Sequence, residues 1–110
     1  MPPAWRFLSP RVAATTACGS SCRHAQRTWA EALIINPAAF THYSYAIRDA
    51  LLAIRVPAAE VHLSDVDARA GDFRKISVVR DVVRYRFKGL GVGSYLAALD
   101  AFASGAPPHA

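Results

Sequence analysis

From residue 31 onwards, short apolar runs alternate with amphipathic segments. Residues 32–35 form a continuous apolar run closed by Asn36-Pro37, which is typical of a strand buried on both faces of a parallel sheet. Two more strands are predicted at residues 59–64 and 82–87. Helices are predicted from a cap at Thr41 or Ser44 to about Ile54, and from residue 94 to about residue 103. This alternation predicts an α/β fold with right-handed crossovers and a parallel sheet.

The first thirty residues differ from the rest in composition. The chain has 110 residues, 53% of them hydrophobic, and a formal net charge of +5. Four arginines and no acidic residue precede residue 31, whereas nine basic and eight acidic residues follow. We interpret residues 1–29 as a basic tail, disordered or not native to the domain, with an organellar transit peptide as the alternative. Residues 30–105 form the predicted domain, and residues 106–110 a C-terminal tail.

Composition argues against several classes of protein. The longest aliphatic runs, residues 32–35 and 51–54, fall far short of the roughly 18 to 20 residues that cross a bilayer, so no membrane partner is expected. Cys18 and Cys22 have no second pair to complete a zinc site, so we expect no metal and reduced thiols in a cytoplasmic protein. The nearly neutral residues 31–110 argue against a nucleic-acid partner.

Two motifs have simpler interpretations than the functional ones they suggest. Residues 89–93 read Gly-Leu-Gly-Val-Gly between a strand and a helix, but the third glycine comes one residue early for a dinucleotide-binding fingerprint. A tight turn is predicted instead. Arg84, Arg86 and Lys88 alternate with apolar residues and therefore share one strand face. We interpret this face as a solvated outer surface balanced by nearby Asp81.

Polar residues gather where the first two predicted strands end. Open α/β sheets bind their ligands beyond the carboxyl ends of the strands. Asn36 ends the first strand, and His62 with Ser64 ends the second, sharing a face with Glu60 because side chains alternate along a strand. His42 opens the intervening helix. Two histidines and an amide at this edge predict a polar small-molecule site.

Four segments carry a specific resemblance: residues 30–51, residues 60–64 (Glu-Val-His-Leu-Ser), Phe73-Arg74, and residues 91–95 before the last helix. In this order they closely resemble type II 3-dehydroquinate dehydratases, over about residues 27–104. The resemblance implies a flavodoxin-like, three-layer parallel sheet and trimers stacked into homododecamers, with no metal or cofactor. It implies a hydro-lyase that converts 3-dehydroquinate to 3-dehydroshikimate in the shikimate pathway of aromatic amino acid biosynthesis or in quinate catabolism.

The resemblance also implies roles for individual residues. His62 corresponds to the proton donor for the departing hydroxyl, a role that suits a side chain titrating near neutral pH. Leu63 and Ser64 correspond to the turn that binds the substrate carboxylate, and Asp49 to an acid that reaches the substrate from a neighbouring subunit. The full implied set is catalytic His62 with substrate-binding Asn36, His42, Asp49, Leu63, Ser64 and Arg74.

Part of the family pattern has no counterpart in this sequence. The N-terminal strand with its Asn-Gly-Pro-Asn segment, and the lid that supplies an arginine and the tyrosine base, are missing. Tyr43 and Tyr45 occupy helix positions and cannot replace that base. We therefore expect the C-terminal portion of such an enzyme, truncated at the N-terminus, inactive alone, and with an open sheet edge beside residues 32–36. The alternative is a non-catalytic subunit or binding module that co-assembles with a full-length enzyme.

Overall fold

The computed structural model describes residues 12–16, 31–54 and 56–109. These residues contain four strands and two α-helices, in chain order β1 (Val12–Thr16), β2 (Ala32–Asn36), α1 (Tyr45–Ala53), β3 (Ala58–Val61), β4 (Tyr85–Phe87) and α2 (Gly93–Ser104). The strands are neighbours in the order β1-β2-β3-β4, and every pair is parallel. The predicted parallel α/β fold is confirmed.

β1 lies inside the segment interpreted as a basic tail. Its five residues pair with β2, Val12 opposite Ala32 and Thr16 opposite Asn36. The expectation of an open edge beside β2 is therefore wrong. The sequence Val-Ala-Ala-Thr-Thr lacks the strong apolar run that marks β2, so only pairing with a distant strand identifies it. The Cys18 to His24 segment lies outside the described residues.

β2 is buried on both faces, as its apolar run predicts. Leu33 and Ile35 belong to one apolar cluster, which also contains the α1 residues Ile47 and Leu51. The alternate residues of β2 belong to a second cluster, on the other face of the sheet, which includes Ala32, Ile34, Ala98 and Phe102. Because α1 and α2 cover opposite faces, the domain has the three layers expected of it.

α1 begins at the second of its two candidate caps. The Ser44 hydroxyl oxygen accepts a hydrogen bond of 3.2 Å from the backbone N–H of Ile47. Thr41 lies instead in a short 3-10 helix, Ala38–His42, which carries the chain from the end of β2 to α1. This 3-10 helix brings His42 back over the carboxyl edge of the sheet.

β3 and β4 are shorter than predicted. β3 ends at Val61, so His62 to Ser64 form the turn that leaves the strand. Two short 3-10 helices follow, Val66–Ala68 and Asp72–Lys75. Residues 78–82 turn back before β4 and bury Val79 in the cluster beneath α1.

The C-terminal segment returns along the outer side of β4. The backbone N–H of His109 donates to the carbonyl of Arg84 at 2.9 Å, and the N–H of Arg86 donates to His109 Nδ1 at 2.9 Å. The imidazole also packs edge-on against Tyr85 and Phe87. Residues expected to be a tail thus contact the last strand. In the described part of the chain, neither helix is long and apolar enough to span a bilayer.

Candidate active site

An open cavity of about 450 Å³ lies at the carboxyl ends of β2 and β3. Small-molecule sites commonly measure about 300 to 1,000 Å³. Its polar lining consists of Asn36, His42, His62, Ser64, Arg69 and Arg74, and Leu63 is among its apolar residues. Six of the seven predicted site residues are therefore brought together. The seventh, Asp49, is exposed on α1 and does not line the cavity.

His62 is held from behind by a buried carboxylate. Its Nε2 lies 2.6 Å from Oε2 of Glu60, and both side chains are almost completely buried. The strand alternation noted in the sequence is what places Glu60 and His62 on one face. With Nε2–H donating to Glu60, Nδ1 is the nitrogen left for a ligand.

Glu60 has two further hydrogen-bond donors. Ser77 Oγ donates to Oε1 at 2.7 Å, and Arg86 Nε donates to Oε2 at 2.9 Å. Burial by itself would raise the pKa of Glu60, but the hydrogen bonds from His62 and Arg86 outweigh burial and hold this pKa below its ordinary value. Glu60 is therefore a buried negative charge behind His62, which itself lines the cavity.

The interpretation of Arg84, Arg86 and Lys88 as a solvated face is wrong. Arg86 is 10% exposed and reaches Glu60 and Asp67, while Lys88 pairs with Asp67 and with Asp65. The hydrogen bond from Lys88 is the largest cause that lowers the pKa of Asp67, and Arg86 lowers this pKa further. The nearby acid expected to balance these cations pairs elsewhere, since Asp81 binds Arg48 of α1. The acidic partners lie on β3 and its following turn, which sequence proximity could not indicate.

Two residues at the rim each have one polar side-chain atom hydrogen-bonded to the backbone. Their second polar atom is therefore the one that faces a ligand. His42 Nδ1–H donates to the carbonyl of Ile76 at 2.7 Å, which leaves Nε2 as an acceptor. Asn36 Oδ1 accepts from the N–H of Ala38 at 3.0 Å, which leaves the amide NH₂ as a donor. The cavity thus has both an acceptor and a donor for the hydroxyl groups of a ligand.

The opposite side of the cavity is rich in donors. Arg74 packs over Phe73, with 4.7 Å between the guanidinium carbon and the ring centre, and donates from Nε to the carbonyl of Ala70. Its two terminal nitrogens remain for a ligand. Arg69, which the sequence did not single out, lines the same cavity. Within the described residues, the backbone N–H groups of Leu63 and Ser64 make no hydrogen bond. Such a donor set favours an anion.

The glycine-rich turn supports the site from below. Gly89 and Gly91 have φ of 77° and 58°, so the prediction of a tight turn is confirmed. The turn brings buried Ser94, at the start of α2, against the end of β3, where its hydroxyl donates to the carbonyl of His62 at 2.8 Å. Gly91 N–H donates to the carbonyl of Leu63. Among the described residues, no group of three or more His, Cys, Asp or Glu side chains could hold a metal ion.

Comparison with known proteins agrees with this geometry. Residues 20–103 match the family described as Dehydroquinase class II. The 3-dehydroquinate dehydratase of Dictyoglomus turgidum is 53% identical over 75 residues, which cover 68% of this chain and 51% of that relative. The enzyme of the same name from Desulfitobacterium hafniense is 57% identical over 68 residues, or 62% of this chain and 46% of the relative. The chain spans about half the length of the curated relatives it matches.

The fold is shared with solved structures as well. The crystal structure of type II dehydroquinase from Butyrivibrio crossotus superposes with a TM-score of 0.72 at 39% identity, over 76% of this chain and 58% of that one. A type II dehydroquinase from Propionibacterium acnes gives 0.71 at 38% identity, over 78% and 58%. The domain is flavodoxin-like, as the resemblance implied. By sequence and by structure, this chain belongs to the class II dehydroquinase family.

Proposed function

We propose that the cavity binds 3-dehydroquinate and that His62 donates a proton in its dehydration to 3-dehydroshikimate. The observation that carries this proposal is the buried hydrogen bond between Glu60 and His62 at the wall of a cavity lined by arginines. It combines a proton donor with the means to hold a small carboxylic acid. Membership of the family supports the choice of substrate.

The reaction is an elimination beside a ketone. A base removes the α-proton, the electron pair of that C–H bond forms an enolate, and the enolate then expels the β-hydroxyl group as water. His62, protonated on both nitrogens and stabilised by Glu60, gives its Nδ1 proton to the departing oxygen. The imidazole that remains keeps Nε2–H on Glu60. Atoms and charge balance, because the base gains the α-proton of the substrate, while the hydroxyl group and the proton that His62 gives up leave together as water.

The substrate carboxylate is proposed to lie against Leu63 and Ser64, whose backbone N–H groups and hydroxyl are directed donors. Arg69 and Arg74 add positive charge to the same cavity. Asn36 then binds a ring hydroxyl through its amide NH₂. This arrangement separates the anchor for the carboxylate from the reacting C–O bond at His62.

The tyrosine base expected from the family resemblance has no counterpart in the described part of the chain, where no tyrosine lines the cavity. Tyr43 and Tyr45 are 59% and 67% exposed. We therefore expect the chain alone to bind substrate but to turn it over orders of magnitude more slowly than a complete enzyme, because the general base is one of the two proton-transfer groups. Turnover at ordinary enzyme rates, followed by the enone absorbance of the product, would contradict this expectation.

Binding is tested by calorimetry with 3-dehydroquinate and the full chain. We expect a dissociation constant in the millimolar range or lower. In Arg74→Gln it should rise about tenfold or more, which corresponds to losing one charged hydrogen bond. Arg80→Gln is the matched control, since Arg80 is exposed and does not line this cavity. Absence of binding at millimolar substrate, or equal weakening in both variants, would overturn the proposed site.

A second function follows from the absence of a tyrosine at the cavity among the described residues. The chain could serve as a non-catalytic subunit that joins a complete class II dehydroquinase. Asp49, exposed on α1, is then proposed to reach a neighbouring subunit's site, in keeping with the trimer-based assembly implied by the family. Co-expression with a complete enzyme followed by size-exclusion chromatography distinguishes the two functions, because only a subunit elutes with the larger assembly.

A further inference from the structure

Arg86 is buried beside the proton donor, although the elimination itself does not use it. Burying a guanidinium is unfavourable unless its hydrogen-bonding groups are paired. β4 places Arg86 directly opposite Glu60 in the sheet. Its Nε donates to Oε2 of Glu60 at 2.9 Å, and this is the same oxygen that accepts from His62 at 2.6 Å. One carboxylate oxygen therefore lies between a permanent cation and the titrating imidazole.

Arg86 has a second acidic neighbour. Its two terminal nitrogens lie 3.5 Å from the two carboxylate oxygens of Asp67, in the 3-10 helix after β3. Lys88 also binds Asp67, and it reaches Asp65 at 3.1 Å. Asp67 thus holds Arg86 from the side away from Glu60. The charges run in the order His62, Glu60, Arg86, Asp67, with neighbours opposite in sign when His62 is protonated.

We infer that Arg86 is a positioning residue that sets the proton affinity of the pair formed by Glu60 and His62, and that Asp67 moderates its effect. The catalytic meaning of this assignment rests on the proposed function of His62, whereas the assignment itself concerns proton binding alone. Arg86 neutralises part of the carboxylate charge, so the pair releases its proton at a lower pH than it would without the guanidinium. The pair, rather than either residue, is the titrating unit.

Other charged groups surround the pair formed by Glu60 and His62, and they are the same in the unmodified chain and in the variants described below. They come from the 3-10 helices, from the residues that flank the helix Val66–Ala68, and from the residue after β4. They are His42, Asp65, Arg69, Arg74 and Lys88.

The test is an NMR titration of the His62 imidazole in the full chain. In Arg86→Met, we expect the apparent pKa of the pair to rise by about 1, because loss of a cation favours the protonated form wherever the proton resides. Arg84→Met is the matched control. Arg84 lies two residues away, just before β4, but donates to the Tyr85 hydroxyl and to the carbonyl of Ala106, so its loss should leave the titration unchanged.

Asp67→Asn provides a second variant with the opposite expected sign. Removing this carboxylate leaves Arg86 and Lys88 less neutralised, so the apparent pKa of the pair should fall by about 0.3. General damage to the fold would not move the two variants in opposite directions. Should Arg86→Met fail to fold, Asp67→Asn and the charge-conserving Arg86→Lys carry the test. The inference would be overturned if the apparent pKa of the pair did not rise in folded Arg86→Met, or if it rose in Asp67→Asn.

Calorimetry on the same samples separates this inference from the proposed function. If 3-dehydroquinate fails to bind the unmodified chain while both titrations change as expected, the substrate proposal fails and the role of Arg86 in proton binding stands. If the substrate binds but neither titration changes, the substrate proposal stands and the role of Arg86 in proton binding fails.

Discussion

Ala38, on the wall of the cavity, has a left-handed backbone with φ of 52°. A side chain with a Cβ in this region costs about 1 to 2 kcal/mol relative to the ordinary regions. The turn allows the N–H of Ala38 to reach Oδ1 of Asn36, which fixes the direction of that amide. Strain at Ala38 therefore accompanies a defined orientation of Asn36 in the site.

The first prediction concerns this strain. Ala38→Gly should raise the free energy of unfolding by about 1 kcal/mol, since glycine has no Cβ to clash and the gain exceeds the extra entropy of the unfolded chain. Ala39→Gly is the control, because Ala39 lies in the same 3-10 helix without a positive φ. It should lower stability by about 0.5 to 1 kcal/mol. Urea denaturation measures both, and changes of the same sign would show that the strain is not significant.

The second prediction concerns acid pH. The pKa of Glu60 is lowered in the folded state from an ordinary value of 4.5. Its stabilising contribution is therefore complete above about pH 4.5 and is lost as the pH falls through the lower folded value. Glu60→Gln should lower the unfolding free energy at neutral pH by about 3 kcal/mol, because Arg86 loses its buried partner. It should also flatten the decline below pH 4.5.

Urea denaturation between pH 3 and 7 measures this dependence. Asp100→Asn, at an exposed carboxylate on α2, serves as the control and should retain the acid decline of the unmodified chain. An equally steep decline in Glu60→Gln would assign the acid sensitivity to other carboxylates.

At the scale of elements, local pattern was informative where one segment contains the whole signal. β2, α1 and α2 follow from an apolar run, a serine cap and a helical stripe. β1 could not be predicted, because its weak sequence is recruited by pairing with β2. The shortening of β3 and β4 depends on how residues 62–84 fold over the sheet.

The same distinction between local pattern and long-range pairing applies to the candidate site. Period-2 alternation predicted the shared face of Glu60 and His62, which are in contact, and a cavity lies at the end of the sheet where the rule for sheet edges predicted a site. The role of Arg86 was missed, since its counter-charge lies on the neighbouring strand, 26 positions earlier. The register of β3 against β4 was the missing information.

The third prediction concerns the turn before α2. Gly89 and Gly91 both have positive φ, but a Cβ on Gly89 would approach Cβ of Asp65 to 3.3 Å, whereas Gly91 faces open space. Gly91→Ala should lower the unfolding free energy by about 1 kcal/mol through strain alone. Gly89→Ala should lower it by about 2 kcal/mol, because Asp65 must also move. Equal losses in the two variants, measured by denaturation, would exclude the contact with Asp65 as a contributor.

For the whole molecule, β4 is an edge strand whose outer side pairs with no further strand in the described part of the chain. Residues 106–109 cover it through two hydrogen bonds of His109, whose backbone N–H donates to the carbonyl of Arg84 and whose Nδ1 accepts from the backbone N–H of Arg86. An uncovered strand edge is a template for pairing with another chain. The segment expected to be a tail is therefore part of the folded structure.

The fourth prediction tests this cover. A chain ending at residue 105 should unfold at a lower temperature and form larger species in sedimentation velocity experiments, because β4 and the Tyr85 hydroxyl lose their partners at residues 106 and 109. His109→Ala keeps the backbone of this segment and loses only the imidazole. Its thermal stability should therefore lie between that of the shortened chain and that of the unmodified chain. Monodisperse behaviour of the shortened chain, with unchanged thermal stability, would contradict the role given to the segment.

The shared oxygen of Glu60 also constrains how this sequence can diverge. Removing one member of a buried charge pair costs about 3 to 5 kcal/mol, a large share of the roughly 5 to 15 kcal/mol by which folded domains are stable. A lineage that lost Arg86 alone would leave the buried Glu60 carboxylate without its permanent cation and would pass through a poorly folded intermediate, so a change at Arg86 should be accompanied by a change among the groups that contact Glu60. Among near relatives of this chain, we therefore expect position 86 to vary together with the groups around Glu60, whereas Asp67, which is partly exposed and also pairs with Lys88, should vary independently.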